Sequence, residues 1–560
     1  MNADYGLVDT LLPQMLGDGM GAFKANKMND PDTPQLNDAL TGPYRQEFLE
    51  AMRNEIVELE HHKTWRVVPK GNVHAGTKIL PSTWALKIKH YPDGRLRKFK
   101  ARFCVRGDCQ TEGIDYFDKY APVVSWSTVR LLSIMSISQG WVSRQVDFSN
   151  AFVQAPLNEE IYLNLPRSFC QAEGADKHVL KLNRSLYGLV QAPLYWYNYL
   201  KERLNTAGLL PSKYDPCLPY GEDVICLTYV DDCIFFAKNY EAIDRVLHKL
   251  KDQKLDFTVE EDVHAFHGVE IDKRSDGSVE MTQKGLIKKI LKTTGMEDCN
   301  AKSTPANVAP LGTDTQGKPF DKEWEYASVV GMLMYLSSNT RIDIQFAVHQ
   351  CARFTHVPKA SHAEAIKRIC RYLKGTLDKG VIMKPGTDPK LDCYADADFA
   401  GLWNVESDQD PVCVKSRTGY VIMFASCPVT WVSKLQSEIS LSTLEAEYIA
   451  LSQAMRDFLP MRELLKEISS KTNLTANDIG TMHSTVFEDN NGALGLATSP
   501  RITPRTKHIA IKYHFFRDKI GVSKGITIEH VESEHQLADC LTKGLVEAKF
   551  TKLRLLIQGW

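Results

Sequence analysis

One stretch of the sequence constrains the fold more than any other, the run VICLTYVDDCIFFA at Val224–Ala237. It is apolar on both sides of Asp231 and Asp232, and its β-branched and aromatic residues favour two buried strands joined by a tight turn. Two carboxylates about 4 Å apart repel each other by roughly 4 kcal/mol at an effective dielectric of 20. A hairpin tip that accepts this repulsion indicates a divalent-cation site, although Asp-Asp is also ordinary turn chemistry at a solvated loop.

Length and charge limit the classes of protein that fit the sequence. The chain has 560 residues, and at about 150 residues per domain this length suggests three or four domains. Hydrophobic residues make up 43% and charged residues 24%, which excludes a wholly disordered chain and allows several buried cores. The formal net charge is −1, so any contact with nucleic acid must come from local basic patches.

The cysteines and the apolar segments indicate an intracellular protein. The thirteen cysteines form no C-x-x-C pair, so neither a disulfide framework nor a structural zinc site is indicated. The N-terminal sequence MNADYGLVDT lacks the basic start and apolar core of a signal peptide. The longest apolar stretch, near Tyr420–Val432, is too short to span a membrane.

Periodicity and composition divide the chain into five predicted parts. Helical spacing predicts a helix at 44–61, and alternation predicts a hairpin that turns at Pro92, Asp93 and Gly94. The predicted parts are a flexible lead-in at 1–43, a mixed region of strands and helices at 44–300, a polar linker rich in Pro and Gly at 301–325, a helical block at 326–388, and a region at 389–560 where strands return and helices follow.

A third carboxylate strengthens the prediction of a metal site. In WVSRQVDFSNAFVQAP (Trp141–Pro156), Asp147 ends a strand-like segment and Phe148–Phe152 could begin a helix. If Asp147 lies beside the aspartates of the hairpin tip, the three carboxylates form a two-metal site. Such a site holds the attacking and leaving oxygens of an in-line phosphoryl displacement.

The same region carries a family resemblance. The sequence Tyr229-Val230-Asp231-Asp232 is similar to the YxDD motif of reverse transcriptases, and four further segments closely resemble the polymerase of copia-type (Pseudoviridae) LTR retrotransposons. The resemblance runs from about Tyr44 to Leu291. The four segments are KARFCVRG (Lys100–Gly107), QTEGIDYFDKYAPVVSWSTVR (Gln110–Arg130), VDFSNAFVQAPL (Val146–Leu157) and KLNRSLYGLVQAP (Lys181–Pro193).

The resemblance implies a role for each matching residue. Asp147, Asp231 and Asp232 would hold two Mg²⁺ ions, one at the primer 3′-hydroxyl and one at the dNTP triphosphate. Phe152 would lie under the incoming sugar and exclude a 2′-OH, although a core aromatic is the alternative interpretation. The other implied nucleotide contacts come from the SLYGL motif and from a basic strand face, for which a solvated charged face is the alternative: Tyr187, Gly188, Lys100 and Arg102.

Two helices are predicted to present basic faces to nucleic acid. Phe266–Leu291 resembles the primer-contacting hairpin of the family and the helix that follows it, and Tyr326–Thr376 resembles the thumb and connection. Basic residues at helical spacing would share a face suited to phosphates. They are Lys284, Lys288, Lys289 and Lys292 on the first helix, and Lys367, Arg368, Arg371 and Lys374 on the second.

A second set of carboxylates lies in the last third of the chain. Spacing alone does not favour a metal site there, since scattered acids are common. The segments YADADFAG, STLEAEYIAL, EDNNGAL and QLADCLTK, however, resemble the RNase H domain that follows the polymerase in copia-type elements. The resemblance implies a D-E-D-D cluster that binds two Mg²⁺ and activates water against the RNA strand of a hybrid. Its members would be Asp396, Glu447, Asp489 and Asp539.

Several neighbouring residues compete for roles in this second site. Glu445 and Asp398 are the rival carboxylates. The E-x-x-A helical spacing favours Glu447 over Glu445. We assign His508 and His514 structural roles and no metal. His535 lies close in sequence to the last carboxylate and is a candidate to assist product release.

The sequence also departs from the family pattern. Val190 and Leu194 stand where the family has Lys and Arg, Ile342 replaces Pro, and Leu444 interrupts the usual SSTEAEY. None of these changes removes a predicted metal ligand, but Val190 predicts weaker template or nucleotide contacts. The chain has no D-[ST]-G protease triplet and no C-x-x-C zinc module, as expected for the C-terminal part of a Pol polyprotein.

Together these features predict an α+β multidomain protein with a right-hand polymerase, a connection and an RNase H-like domain. The expected function is RNA-directed DNA synthesis with hydrolysis of the RNA in the hybrid; the alternative is a decayed or domesticated nucleic-acid-binding protein that keeps the fold. The expected cofactor is Mg²⁺, with Mn²⁺ as a substitute. The expected partners are an RNA template, a DNA primer, the hybrid, dNTPs and a second copy in a homodimer, without a membrane. The resemblance implies cytoplasmic particles and a nuclear phase.

Overall fold

The computed structural model describes residues 32–560 with internal gaps. The gaps are at 91–94, 167–174, 262, 404, 407–409, 476–478, 480–481, 500–508 and 510. The predicted turn at Pro92–Gly94 and most of the predicted lead-in therefore lie outside the described residues. Within these ranges no helix has both the length and the apolar character needed to cross a membrane.

Helices and strands alternate along the chain, which confirms the predicted mixed α and β class. The helices are α1 (Leu36–Thr41), α2 (Arg45–His61), α3 (Trp126–Gln139), α4 (Ala151–Gln154), α5 (Ala192–Ala207), α6 (Tyr240–Asp252), α7 (Lys284–Thr293), α8 (Tyr326–Asn339), α9 (Gln345–Ala352), α10 (Ala360–Gly375), α11 (Thr443–Lys471), α12 (Asn491–Thr498), α13 (Asp539–Thr542) and α14 (Glu547–Gln558).

The strands are β1 (Trp65–Pro69), β2 (Ile79–Leu80), β3 (Ser82–His90), β4 (Leu96–Val105), β5 (Val142–Phe148), β6 (Tyr162–Leu163), β7 (His178–Leu182), β8 (Leu210–Pro211), β9 (Pro219–Tyr220), β10 (Val224–Tyr229), β11 (Asp232–Ala237), β12 (Phe257–Glu260), β13 (Ala265–Phe266), β14 (Val269–Lys273), β15 (Val279–Thr282), β16 (Val381–Met383), β17 (Leu391–Asp398), β18 (Arg417–Phe424), β19 (Cys427–Leu435), β20 (Ser484–Glu488) and β21 (Ile526–His530).

The N-terminal layer is built on helix α2 and the β3–β4 hairpin. The apolar residues of α2 recur at helical spacing and are at most 1% exposed, so they form the buried stripe that the sequence predicts. They pack with the inward residues Ala101, Phe103 and Val105 of β4, whose neighbours along the strand are more exposed. Helix α1 falls in the predicted flexible lead-in but is ordered, because Ala39 joins this core. The stripe residues are Phe48, Met52, Ile56 and Leu59.

The central sheet has the strand order β12-β5-β11-β10-β9-β8. Strands β10 and β11 form the predicted hairpin, in which Tyr229 pairs with Asp232. Strand β5 lies antiparallel to β11 on its other side. Every residue of β10 except its last is buried, as is every residue of β11 except its first, so the hairpin is polar only at its tip.

Two predicted boundaries are crossed in the structure. Strand β16 lies in the predicted helical block, yet it pairs with β15 and completes a sheet of order β13-β14-β15-β16. The segment predicted as a linker has no helix or strand, but it is packed: Phe320 and Trp324 are buried with the helices α7 to α10. Its apolar side chains explain the difference, because aromatic rings offset the cost of ordering a polar loop.

The C-terminal sheet has the strand order β19-β18-β17-β20-β21. The first three strands are antiparallel, and β17, β20 and β21 are parallel. Helix α11 packs on β17 and β18. The last helix, α14, packs on two cores: Leu553 and Ile557 join the core that contains the C-terminal sheet, whereas Phe550 joins the core of α7 to α10. The Gln558 side chain accepts a hydrogen bond of 2.7 Å from the backbone N–H of Asp343.

A single buried arginine connects three of these units. Arg130 of α3 is 3% exposed. Its guanidinium donates to the carbonyl oxygens of Val429 at 2.6 Å, Ser338 at 3.1 Å and Asn339 at 3.2 Å. It also lies 4.0 Å above the Trp431 ring. Burial lowers the pKa of Arg130 to about 9. No carboxylate among the described residues pairs with it, so the carbonyl oxygens and the ring stabilise its charge instead.

We expect Arg130→Met to destabilise the protein by about 3 kcal/mol, because three carbonyl groups, two of them in buried hydrogen bonds, lose their donor. The change would be measured as a lower midpoint in urea unfolding. Arg66→Met, on the exposed face of β1, is the matched control and should shift the midpoint little. Equal midpoints for the two variants would show that Arg130 does not hold the units together.

Candidate active sites

The tip of the central hairpin is a strained two-residue turn. Val230 has φ 54°, a region that β-branched residues avoid and that costs of the order of 1–3 kcal/mol. The indole N–H of Trp196 donates to the Val230 carbonyl oxygen, and the Asp231 carbonyl oxygen accepts the Phe148 backbone N–H at 2.9 Å. Strain held by its surroundings in this way is typical of a functional site.

The register places two predicted aspartates of the first site side by side, and the third lies at the adjacent turn. Asp147 of β5 is directly opposite Asp232 of β11, so their side chains lie on the same face of the sheet. Burial, and then repulsion from Asp231 and Asp147, raises the pKa of Asp232 to about 6. Partial burial, and then repulsion from Asp231, also raises the pKa of Asp147. The three carboxylates therefore share one electrostatic environment.

His267 is a residue of this site that the sequence reasoning did not single out. Its Nε2 lies 3.4 Å from Asp232 Oδ2, and its ring centroid is 3.5 Å from that of Tyr229. The Tyr335 hydroxyl donates to the His267 carbonyl oxygen at 2.6 Å. The backbone of His267 has φ 47°. In the sequence, His267 falls in the segment that resembles the primer-contacting hairpin. In the structure it lies at the turn between β13 and β14.

The side chains predicted to contact a nucleotide form a contiguous row. Arg102 lies 4.5 Å above the Tyr187 ring, and the Tyr187 and Phe152 centroids are 5.1 Å apart in an edge-to-face arrangement. Lys100, on the same strand face as Arg102, interacts electrostatically with Asp147. Burial, followed by the charge of Arg102, lowers the pKa of Lys100 to about 8. The row thus leads from the basic strand towards the first aspartate.

Gly188 has a steric role in the structure. It has φ +90°, and a Cβ atom there would lie 2.1 Å from the Val105 carbonyl oxygen. The Val105 backbone N–H donates to the Tyr187 carbonyl oxygen at 2.8 Å. Only glycine permits this close approach of the end of β4, so Gly188 fixes Tyr187 beside the basic strand. Its predicted contact with a nucleotide stays a prediction.

The second site forms where a helix meets the ends of two parallel strands. Asp396 lies near the end of β17, and Asp489 follows β20. The carboxyl ends of adjacent parallel strands reach the same edge of the sheet, and the first turns of α11 place Glu447 against them. Carboxylate oxygens from these three residues all lie within 4.8 Å of one another. The Asn490 side chain caps α12 by accepting two backbone N–H groups.

Burial makes this cluster electrostatically unfavourable in isolation. Desolvation raises the pKa of Asp396 to about 7, with the Lys543 charge acting in the opposite direction. Desolvation, and then repulsion from Asp396, raises the pKa of Glu447 strongly. Glu488, which the sequence reasoning missed, is fully buried beside the cluster, and burial raises the pKa of its carboxyl as well.

Asp539 is near the cluster but faces two lysines. Its carboxylate is 1% exposed, its Oδ1 lies 2.5 Å from Lys543 Nζ, and its Oδ2 pairs with Lys549. Lys543 Nζ also lies 3.9 Å from Asp396. The structure therefore groups Asp396, Glu447 and Asp489 together. Asp539, the fourth predicted ligand, is connected to Asp396 through the ammonium group of Lys543. The i,i+4 spacing of Asp539 and Lys543 was the available sequence signal.

The rival residues of the second site have other partners. Glu445 accepts the Leu441 backbone N–H at 2.8 Å next to the helix cap of α11. Asp398 ends β17, and burial raises its pKa. His514 Nδ1 is hydrogen-bonded to the Tyr448 hydroxyl at 2.8 Å, and His535 is exposed beside Glu534. The predicted structural histidine His508 lies outside the described residues.

The two predicted basic helix faces differ in the structure. On α7, Lys288, Lys289 and Lys292 are exposed opposite the buried Ile287, Ile290 and Leu291. On α10 the segment 301–325 covers part of the face. Lys367 pairs with Glu323 and Glu364, and Arg368 donates to the Thr304 hydroxyl at 2.7 Å. The α7 face is therefore the more accessible of the two.

The donor chemistry of both sites fits Mg²⁺. Each site offers carboxylate oxygens, the hard ligands that Mg²⁺ prefers. In the second site Glu447 Oε2 is buried and has no hydrogen-bond partner among the described residues, as expected for an oxygen that a cation completes. Asp147, Asp231 and Asp232 would hold the ions of the first site, and Asp396, Glu447 and Asp489 those of the second.

Comparisons with known proteins show which family the region around the first site is similar to. Residues 62–308 match the family model described as reverse transcriptase (RNA-dependent DNA polymerase). The retrovirus-related Pol polyprotein from transposon RE1 of Arabidopsis thaliana is 33% identical over 504 residues, covering 89% of this chain and 33% of that protein. The corresponding protein from transposon TNT 1-94 of Nicotiana tabacum is 30% identical, covering 94% and 39%.

These matches confirm the resemblance to the Pol polyproteins of copia-type transposons. The chain spans about a third of the length of the curated relatives it matches. Among solved structures, a foamy viral protease-reverse transcriptase in complex with dsDNA is 12% identical with a TM-score of 0.43, covering 87% of this chain and 83% of that chain.

We expect Asp396→Asn to stabilise the metal-free protein at pH 8 but not at pH 4. The folded-state pKa of about 7 lies above the ordinary value of 3.8, so the stability of the wild type falls as the pH rises from about 4 to 7. Removing the charge should raise Tm at pH 8 by roughly 5 °C. Saturating Mg²⁺ should raise Tm of the wild type more than that of Asp396→Asn, because the variant lacks one predicted carboxylate ligand.

Thermal unfolding in EDTA across this pH range measures the effect. Asp252→Asn, an exposed aspartate at the end of α6, is the control and should show no such pH dependence. A gain in Tm for Asp396→Asn that is equal at pH 4 and pH 8 would contradict the charged-cluster explanation.

Proposed function

We propose that the chain is an RNA-directed DNA polymerase with ribonuclease H activity that uses two Mg²⁺ ions at each site. The observation that carries the proposal is the register of β5 against β11, which places Asp147 and Asp232 side by side at a strained hairpin tip. The match of residues 62–308 to the reverse transcriptase family supports the polymerase activity. The clustered Asp396, Glu447 and Asp489 support the nuclease activity.

At the first site the protein binds and orients the reacting groups. The bound ions would supply Lewis-acid stabilisation of the charge that develops on the phosphoryl oxygens. Asp147, Asp231 and Asp232 provide the negative charge that holds these ions. Arg102 and Lys100 would supply positive charge for the triphosphate. Phe152 packs edge-to-face with Tyr187, and the sugar of the incoming nucleotide would lie beside these two rings.

At the second site the buried carboxylates would orient water against the RNA strand. The C-terminal sheet has the order β19-β18-β17-β20-β21. When its strands are numbered 1 to 5 from β17 to β21, this order is 3-2-1-4-5, which supports an RNase H-like unit. Asp539 with Lys543 and Lys549 would tune the charge beside Asp396.

The proposed partners are an RNA template, a DNA primer, dNTPs and a second copy of the chain, and the proposed location is cytoplasmic particles with a nuclear phase. The exposed lysines of α7 are suited to phosphate contacts.

We expect the two activities to be lost separately. Asp231→Asn should reduce primer extension on poly(rA)/oligo(dT) by roughly a thousandfold while hybrid cleavage is retained, and Asp489→Asn should do the reverse. The amide keeps the size of the carboxylate but removes a charged metal ligand. Extension and cleavage would be measured on the same preparation in Mg²⁺ and in Mn²⁺.

Asp252→Asn, remote from both clusters in the sequence and exposed, is the matched control and should retain both activities. Normal extension by Asp231→Asn would refute the polymerase assignment, and undiminished cleavage by Asp489→Asn would refute the nuclease assignment. A wild type without either activity would favour the decayed, nucleic-acid-binding alternative.

We expect Phe152→Ala to admit ribonucleotides. The ring is partly exposed beside Tyr187, and removing it opens space for a 2′-OH, so discrimination against rNTPs should fall by roughly ten- to a hundredfold. Phe152→Tyr keeps the ring and should keep the discrimination. The ratio of kcat/KM for dNTP and rNTP measures the effect; an unchanged ratio in Phe152→Ala would mean that the ring only packs.

A further inference from the structure

The end of helix α2 carries a cluster of metal-ligating groups that takes no part in either candidate active site. Glu58, His61 and His62 each offer one ligand atom there. A carboxylate oxygen and one ring nitrogen from each histidine all lie within 4.8 Å of one another. Apart from the carboxylates of the second site, no other group of this kind occurs among the described residues.

The way the helix ends explains why the three side chains converge. His61 is the last helical residue, and His62 is the C-cap with φ −74° and ψ −2°. The chain then reverses at Lys63, which has φ 53°, and Thr64 closes the turn by donating its backbone N–H to the Leu59 carbonyl oxygen at 3.1 Å. The His61 and His62 ring centroids are 5.6 Å apart, and Glu58 lies one turn earlier on the helix.

Two further observations favour a cation at this position. His62 Nε2 is shielded from solvent and has no hydrogen-bond partner among the described residues, although buried polar atoms normally have one. The cluster also lies at the C-terminal end of a 17-residue helix. The aligned peptide dipoles give such an end a partial negative charge, which attracts cations.

We propose that Glu58, His61 and His62 form a binding site for a divalent transition metal, with Zn²⁺ as the ion of best chemical fit. Two imidazole nitrogens and one carboxylate oxygen are ligands that suit Zn²⁺, whereas Mg²⁺ prefers oxygen donors alone. This site is therefore chemically distinct from the two carboxylate sites. The cysteine spacing gave no signal for it, because no cysteine takes part.

The surroundings point to a structural role between the N-terminal layer and the central sheet. Asp256, which precedes β12, interacts electrostatically with His62. Its backbone N–H donates to Gln154 Oε1 at 3.0 Å, and its carbonyl oxygen accepts the Ser149 N–H at 3.1 Å. A metal bound at the end of α2 would therefore lie close to Asp256, whose backbone is hydrogen-bonded to the segment that follows Asp147.

Zinc binding by the full-length protein tests the proposal. The protein would be stripped with a chelator, its thiols alkylated, and Zn²⁺ titrated in the presence of excess Mg²⁺. We expect one Zn²⁺ per chain, with an affinity that falls by at least about tenfold in His61→Asn and in His62→Asn. Zn²⁺ should also raise Tm of the wild type and leave Tm of these variants unchanged.

Two controls separate this site from adventitious binding. His74→Asn removes an exposed histidine of the same layer and should bind Zn²⁺ like the wild type. Glu58→Gln keeps both imidazoles and should weaken binding less than the loss of a histidine. Substitution with Co²⁺ should give an absorption spectrum without thiolate charge transfer. The absence of stoichiometric Zn²⁺ binding, or equal binding by His61→Asn, His62→Asn and the wild type, would overturn the proposal.

Discussion

Repulsion between carboxylates held close together is the constraint on which both candidate active sites depend. Burial and neighbouring acids raise the pKa of Asp232 to about 6 and of Asp396 to about 7. Folding therefore concentrates negative charge in places where an uncompensated charge is unfavourable. The sheets must be stable enough to hold this arrangement, and strands β10 and β11, which carry the hairpin tip, are buried along almost their whole length.

The two sites offset the repulsion in different ways. At the first site the acids remain partly open to solvent, and Lys100 on the neighbouring basic strand supplies positive charge near Asp147. At the second site Asp396 and Glu447 are buried, and the compensation is direct, since Lys543 reaches both Asp396 and Asp539. The first site is therefore the more open of the two.

The sequence predicted the elements that follow simple periodicity. The helix at 45–61, the hairpin with Asp231 and Asp232 at its tip, and the C-terminal strands all have strong apolar patterns, and residues such as Phe48 and Ile225 are buried as the patterns require. Asp147 could be joined to the tip only through the family resemblance. Its neighbour in space is set by the pairing of β5 with β11, which are distant in the chain.

Other features could not be read from local patterns because they depend on tertiary contacts. The pairing of β16 with β15 and the packing of Phe320 and Trp324 join segments that composition separates. The fully buried Glu488 looks like an ordinary strand residue until the fold places it beside Asp396. The ion pair of Asp539 with Lys549 likewise requires α14, which packs on two cores, to lie against the second site.

The connections between cores also bear on how the two sites work together. The hydrophobic core of the central sheet is continuous with that of the C-terminal sheet, and Arg130 bonds to carbonyl groups of both α8 and β19. Trp141 adds a further contact by donating its indole N–H to the Leu474 carbonyl oxygen at 3.1 Å. The acids of each site nevertheless share no hydrogen bond with those of the other among the described residues. Replacing a carboxylate by its amide therefore changes one site chemically, whereas loss of the shared core would change the relative position of both.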